Sequence, residues 1–405
     1  MPASRQQEAS QLLAQALAEQ RILHLPGVRA RVRAHLERVV ALTQGLDGPE
    51  AWRLRLRAQA ARAEDARHGA GQLSRSAQRA PTAADCEDGW QTVEAIVRGA
   101  EAAAADAEHL AARLTDPDAD RLAHAAGRSA ALARAIVRGR NHAYTFHADP
   151  GFSFGEGWYV AAAGVLCGVA IQVEEAAPQS QSAKRFLADA GLRPLPYRSR
   201  ARANKALPAL IADAFAADAE VAQTTLRRAF LGDARALPSV AAWVDEAMRG
   251  VPHGMPKVLV WVRDVAHDAH RNSSARELFE LCELAQEQGL HPVLFGDAPR
   301  DTPAYALDLT LCWKLPLFQG EQMRRAQLHL FEHLMRFHAL AGQVGVTSAG
   351  MDGPALMGLA TMYLTDAPNP RLGRWVGAVP GYEEVVRGEG HAASIRRRFA
   401  AWAGT

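Results

Sequence analysis

From Lys257 onward the chain alternates short apolar runs with amphipathic segments of a dozen residues or more, and this restricts the fold more than any other feature. The runs are Lys257-Val-Leu-Val-Trp-Val-Arg263, His291-Pro-Val-Leu-Phe-Gly296, Leu307-Asp-Leu-Thr-Leu-Cys-Trp313, Gln343-Val-Gly-Val-Thr347 and Thr361-Met-Tyr-Leu364. They are of strand length, rich in β-branched and aromatic residues, and mostly apolar at consecutive positions. Such strands are buried on both faces, and strands alternating with helices imply a mostly parallel sheet covered on each side. The intervening helices are expected near 275–288, 321–342 and 391–402. Gly250-Val-Pro-His-Gly-Met-Pro256 reads as the linker that precedes this block.

A smaller pattern of the same kind comes before the linker. A strand is expected at Asn141–His147, a glycine-bearing loop at Ala148–Gly157, a short apolar helix at Trp158–Leu166 and a second strand at Gly168–Glu174. This is one βαβ unit, with a right-handed crossover as the default. Residues 180–250 are mostly helical in pattern, with Leu192–Tyr197 a short edge segment. The cluster Arg198, Arg200, Arg202 and Lys205 fits a solvated loop or a phosphate contact.

Residues 1–137 have another texture, dominated by Ala, Arg, Glu and Leu. Apolar residues recur at helical spacing in Leu12, Leu13 and Leu17, in Val32, Leu36 and Val39, and in Val93, Ile96 and Val97. Four or five antiparallel helices are expected, with breaks at Pro49, at Gly69–Pro81 and at Asp116-Pro117-Asp118. The basic run Arg53–Arg67 also holds Glu64 and Asp65, so it reads as a solvated helix face. A protein partner, self-association and a cap over the remaining chain all fit this region. The expected fold class is therefore α/β. It comprises a helical N-terminal region (1–137), a first Rossmann-like α/β/α unit (138–250) and a second (251–405) with a C-terminal helix, the two units facing a cleft.

Composition narrows the partners. A chain of 405 residues is too long for one ordinary core. Its net charge of +2 gives no electrostatic footprint for nucleic acid. Cys86, Cys167, Cys282 and Cys312 match no metal or redox spacing and read as ordinary thiols. The N-terminus has no apolar core of signal-peptide type. The most apolar run, Trp158–Val173, is interrupted by glycines and falls short of the ~20 residues a membrane helix needs. A cytoplasmic protein without a membrane span is expected, with signal-independent delivery left open.

In parallel α/β units ligands bind beyond the carboxyl ends of the strands. The first block places His147, Asp149, Ser153 and Glu156 there, and the second places Arg263, Asp264, His267, Arg271, Trp313, Lys314, Thr347, Ser348 and Asp352. The turn Thr347, Ser348, Ala349, Gly350, Met351, Asp352 and Gly353 is small-residued and leads into a short helix. Its backbone N–H groups suit an anion, and its glycines equally suit close packing. Arginine at a strand end adds bidentate hydrogen bonding to a diphosphate.

Three of these places resemble the GT-B glycosyltransferases, particularly their fucosyltransferase-like branch. Gly151-Phe-Ser-Phe-Gly-Glu-Gly157 is similar to the glycine loop of the acceptor half. Val262-Arg263-Asp264 with Arg271 resembles the strand-end arginine motif, and Thr347–Gly358 resembles the turn and helix that hold the donor. Two residues before Arg263 the family pattern favours His, where this chain has Trp261. The resemblance, over about 138–390, implies metal-independent transfer from a nucleoside-diphosphate sugar, GDP-sugars among them, to an unknown glycan, protein or small-molecule acceptor. It implies no permanently bound cofactor. Arg263, Arg271 and Lys314 would then hold the diphosphate and residues 347–353 would supply N–H groups. Glu156 would be the first candidate for the base, ahead of Asp149 and His147. A non-catalytic nucleotide- or glycan-binding module, and a delivered effector with a helical loading region, remain the alternatives.

Three histidines, His329, His333 and His338, fall on the long helix expected at 321–342. The first two share a face at metal-ligand spacing and the third is rotated off it, so no metal site is expected. Trp313 is read either as a stacking residue or as part of a rim.

Overall fold

The computed structural model describes residues 2–20, 27–78, 83–140, 142–146, 154–174, 180–196, 206–232, 237–264, 272–319, 323–346, 349–370 and 372–404. They fall into two compact units, Met1–His142 with Leu166–Ala170, and Ala143–Val165 with Ile171–Thr405. No helix among the described residues is long and apolar enough to cross a membrane.

The first unit is helical: α1 (Pro2–Glu19), α2 (Val28–Thr43), α3 (Pro49–Gln78), α4 (Ala83–Leu114) and α5 (Pro117–Gly139). Alanines supply much of its core, among them Ala103, Ala107, Ala126 and Ala133. Their small side chains let long helices approach closely. The break before α5 follows its sequence signals: Asp116 accepts the Ala119 N–H at 2.8 Å, and Pro117 opens the helix. The break expected over Gly69–Pro81 falls at the end of that segment: α3 runs through Gly69 and Gly71 to Gln78, and α4 begins at Ala83. Gly69 lies beside Arg29, Arg33 and Ile96, so it serves interhelical packing. The basic run is in part a solvated face, with Arg53 and Arg57 exposed, and in part paired within the unit. Arg55 forks onto Asp106 at 2.9 and 2.8 Å, and Arg53 meets Asp116 at the surface.

The second unit contains two sheets. The small one has the order β1 (Ala143–Phe146), β2 (Ala170–Val173), β3 (Leu195–Pro196), with β2 and β3 parallel. Helices α6 (Phe154–Cys167), α7 (Ser180–Asp189), α8 (Leu207–Ala217), α9 (Ala219–Leu231) and α10 (Pro238–Ala247) accompany it. The large sheet is built from β4 (Lys257–Val262), β5 (His291–Gly296), β6 (Leu307–Asp308), β7 (Leu340–Val346), β8 (Thr361–Thr365) and β9 (Tyr382–Val386). Its strands are all parallel and lie in the order β6-β5-β4-β7-β8-β9. Helices α11 (Ala275–Glu287), α12 (Met323–Phe337), α13 (Asp352–Leu356) and α14 (His391–Ala403) complete it.

The period of two along each strand sorts the faces. Val258, Val260, Leu294, Val344 and Met362 form one core with Leu281 and Cys282 of α11 and with Phe399 and Trp402 of α14. Full burial of each such side chain contributes about 1.5–3 kcal/mol. Gly342 exists because the Trp402 ring occupies the space its Cβ would take, at 2.8 Å.

Two expected boundaries move. The long helix stops at Phe337 instead of continuing to 342, because Leu340 is already paired with Lys257 of β4. The strand expected at 307–313 keeps only Leu307–Asp308, and Cys312–Lys314 turns into a 3-10 helix. There Leu311 sits in the left-handed region at φ 61°.

The halves expected on either side of the linker belong to one compact unit. Asp189, at the end of α7, caps α12 by accepting the Arg324 N–H at 3.1 Å, and its carbonyl accepts Arg325 at 3.1 Å. Arg227 of α9 donates to the Met357 carbonyl at 2.6 Å, and the Trp375 indole donates to the Pro208 carbonyl at 3.1 Å.

Candidate functional site

The strand order fixes where a ligand would enter the large sheet. The chain lays β4, β5 and β6 outward in one direction, then returns to place β7 beside β4 and continues the other way through β8 and β9. The reversal between β4 and β7 is a topological switch point, the kind of place where open parallel sheets bind ligands. Arg263 and Asp264 follow β4 directly. Thr347 and Ser348 follow β7 and lie outside the described residues, as do Arg271, His267 and His270.

The base of the loop after β4 is tied tightly. Arg263 N–H donates to Ser273 Oγ at 3.1 Å, and Ser273 N–H returns to the Arg263 carbonyl at 2.9 Å. Asn272 donates to Asp264 Oδ1 at 3.2 Å. Ser274 then caps α11 by accepting the Glu277 N–H at 3.1 Å. The neighbouring strand end is stitched to the same place. Asp297 N–H donates to the Val262 carbonyl at 3.0 Å, while its carboxylate accepts the Asp264 N–H at 2.9 Å. Gly296 makes this possible with φ 102° and no Cβ, which would stand 2.4 Å from the Val262 oxygen. One guanidinium and two carboxylates thus share the carboxyl ends of β4 and β5. Such a set can pair with a phosphate group and accept hydroxyl protons.

The turn after β7 is held by a buried amide. Gln343 is fully buried. Its Oε1 accepts the Trp261 indole N–H at 2.8 Å, and its Nε2 donates to the Met351 carbonyl at 2.9 Å and to Thr361 Oγ1 at 2.7 Å. Three adjacent strands and the turn are joined through one side chain. Trp261 also covers the turn, so a Cβ on Gly345 or Gly350 would stand 2.6 Å from it. Gly353 meets Trp158 of α6 at 3.0 Å. These three glycines are accounted for by packing. Met351 and Asp352 are fully buried, and the Tyr363 hydroxyl donates to Asp352 Oδ1 at 2.5 Å. Asp352 therefore offers its charge inward and not to a ligand.

The other expected residues scatter. Lys314 is exposed in the 3-10 turn that follows β6, a strand separated from β4 by β5. Trp313 sits in an aromatic cluster, with ring centroids 4.6 Å from Phe295 and 5.5 Å from Phe318. Glu156 lies in the first turn of α6 and Ala349 opens the 3-10 turn Ala349–Met351, but the side chains of both lie outside the described set. Asp149, His147 and Ser153 also lie outside it. Burial pushes the Cys282 and Cys312 thiols up to about 12, so neither is a thiolate nucleophile near neutral pH. His329 donates Nε2–H to the Leu231 carbonyl at 2.9 Å, whereas His333 and His338 both meet Asp245.

No family model, curated protein or solved structure matches this chain. The functional reading therefore stands on the site itself. Sequence reasoning missed Asp297 and Gln343. The first follows Gly296 at the end of an apolar run, and the second is a lone amide inside one; both signals were present.

Proposed function

We propose that the carboxyl edge of the large sheet binds a nucleoside-diphosphate sugar and that the chain transfers the sugar to an acceptor hydroxyl, as GT-B enzymes do. The observation that carries this reading is the strand order, which sets Arg263 at the switch point between β4 and β7. The guanidinium would bind the diphosphate bidentately and offset the charge that builds on the departing nucleoside diphosphate. Asp297, which follows the strand next to β4, would accept a ribose hydroxyl, as an acidic residue does in dinucleotide-binding sheets. Arg271 and the backbone of residues 347–353 would complete the anion site. Glu156, ahead of Asp149, would take the acceptor proton.

A second reading is favoured by one observation. Trp158 of α6 packs against Gly353, and both sheets belong to one compact unit, so the site supports a binding module without opposed halves. Calorimetry against GDP, UDP, ADP, CDP and their sugar derivatives separates the outcomes. Saturable binding of at least one, weakened tenfold or more in Arg263→Ala, is expected. Failure of every nucleotide to bind, or wild-type affinity in Arg263→Ala, would refute both readings. Binding without sugar turnover, unchanged by Glu156→Gln, would leave the binding module.

A further inference from the structure

The amino edge of the same sheet carries a second constellation. Helix α12 ends at Phe337, and His338 closes its last turn with N–H to the Leu334 carbonyl at 3.0 Å. Ala339 then adopts φ 50°, a left-handed conformation that a residue with a Cβ rarely takes. Its carbonyl accepts the Lys257 N–H at 2.9 Å, which locks the reversal onto β4. The result is that His338, five residues beyond His333, folds back beside it. Their ring centroids are 5.4 Å apart. Asp245, in the last turn of α10, inserts its carboxylate between them. Oδ1 is 2.7 Å from His333 Nε2 and 2.8 Å from His338 Nε2.

We infer that Asp245, His333 and His338 bind a divalent transition-metal ion of the zinc type. One ligand atom from each residue lies within 4.8 Å of the others. Two imidazoles on a tetrahedral zinc, with Zn–N near 2.0–2.1 Å, have ring centroids about 5 Å apart. The observed separation of the two rings already matches that spacing. Imidazole donors select zinc, nickel or copper over calcium and magnesium. His333 and His338 are largely buried, whereas Asp245 is 58% exposed, so the fourth position faces solvent and takes water. His253 lies close by, its ring centroid 6.1 Å from that of His338.

The strands separate this site from the nucleotide edge. Six residues of β4 lie between Pro256 and Arg263, a distance of about 20 Å. The metal would therefore clamp α10, the end of α12 and the entry to β7, and would take no part in chemistry at Arg263.

Calorimetry with zinc chloride on the EDTA-treated full chain tests this. One equivalent of saturable binding is expected, with a rise in the thermal unfolding midpoint that EDTA reverses. Binding should weaken at least tenfold in His333→Gln and in Asp245→Asn, and remain unchanged in the exposed-surface control His124→Gln. Cobalt(II) loading of wild type should give the visible absorption of a tetrahedral site, lost in His338→Gln. Absence of saturable zinc binding, or equal binding by wild type and the three site variants, would overturn the assignment and leave a hydrogen-bonded triad only. Asp245→Asn, which keeps a hydrogen-bond acceptor, guards against loss of folding as the cause.

Discussion

Replacing Gln343 by leucine should open the centre of the large sheet, and the cost follows from its three hydrogen bonds. Leucine leaves the Trp261 indole N–H buried and unpartnered, while Thr361 keeps its bond to the Leu359 carbonyl at 2.8 Å and Met351, as N-cap of α13, keeps the helical bond to its carbonyl. The orphaned group costs about 1–3 kcal/mol, so the variant should lose at least that much local stability. Trp261→Phe removes the orphan in advance. In that background Gln343→Leu should cost about 1–3 kcal/mol less, a coupling a double-mutant cycle isolates. Native-state hydrogen exchange read on peptides from β4, β7 and β8 is the suitable assay, because a chain with two compact units need not unfold in one step. Exchange should accelerate by an order of magnitude or more in Gln343→Leu, since each 1.4 kcal/mol is about tenfold. Equal acceleration in both backgrounds, within about twofold, would refute the claim that this amide satisfies the indole.

Two further predictions concern stability. Burial holds His329 below the ordinary imidazole range, so the unfolded chain takes up its proton first as pH falls. Stability contributed by this residue is intact above about pH 6.5 and is lost as pH drops toward the lowered folded value. His329→Gln keeps a donor for the Leu231 carbonyl but does not titrate, so its thermal midpoint should fall less than the wild type's between pH 7.5 and 5; parallel falls would sink the argument. Gly342→Ala drives a methyl to 2.8 Å from the Trp402 ring and should cost about 1–3 kcal/mol by chemical denaturation. Gly250→Ala meets nothing within 4 Å and should change stability by less than about 0.5 kcal/mol.

The order of strands and helices in the large sheet was legible because both-face burial writes itself as consecutive apolar residues, as in β4. The strand β9 was not legible. Tyr382-Glu-Glu-Val-Val386 is an edge strand whose glutamates remain partly exposed, so its pattern resembles a loop. Helix α12 was drawn too long because Ala-Leu-Ala after His338 suits a helix, and only pairing with β4 makes it strand. The same error hid the His333–His338 pair, since a continued helix rotates the second ring away from the first. Trp261 was legible only as a departure from the resembled family's histidine. Its role in covering Gly345 and Gly350 depends on side chains brought together across β4 and β7.

The placement of β7 also dictates an order of assembly. Strands β4, β5 and β6 are synthesised first, yet β4 gains its second neighbour only when residues 340–346 emerge. At typical translation rates of about 5–20 residues per second, the 90-odd residues from β4 to the end of β7 take roughly 5–20 s to emerge. For that interval the nascent half-sheet carries an open, apolar edge of the kind that invites pairing with other chains. Helix α12 closes the interval. Its amino end is received by Asp189 and its carboxyl end by Asp245, both already made. Docking α12 onto these two aspartates would deliver β7 into the gap beside β4, so weakening either one should show first as poorer yield on the ribosome and only later as a changed mature protein.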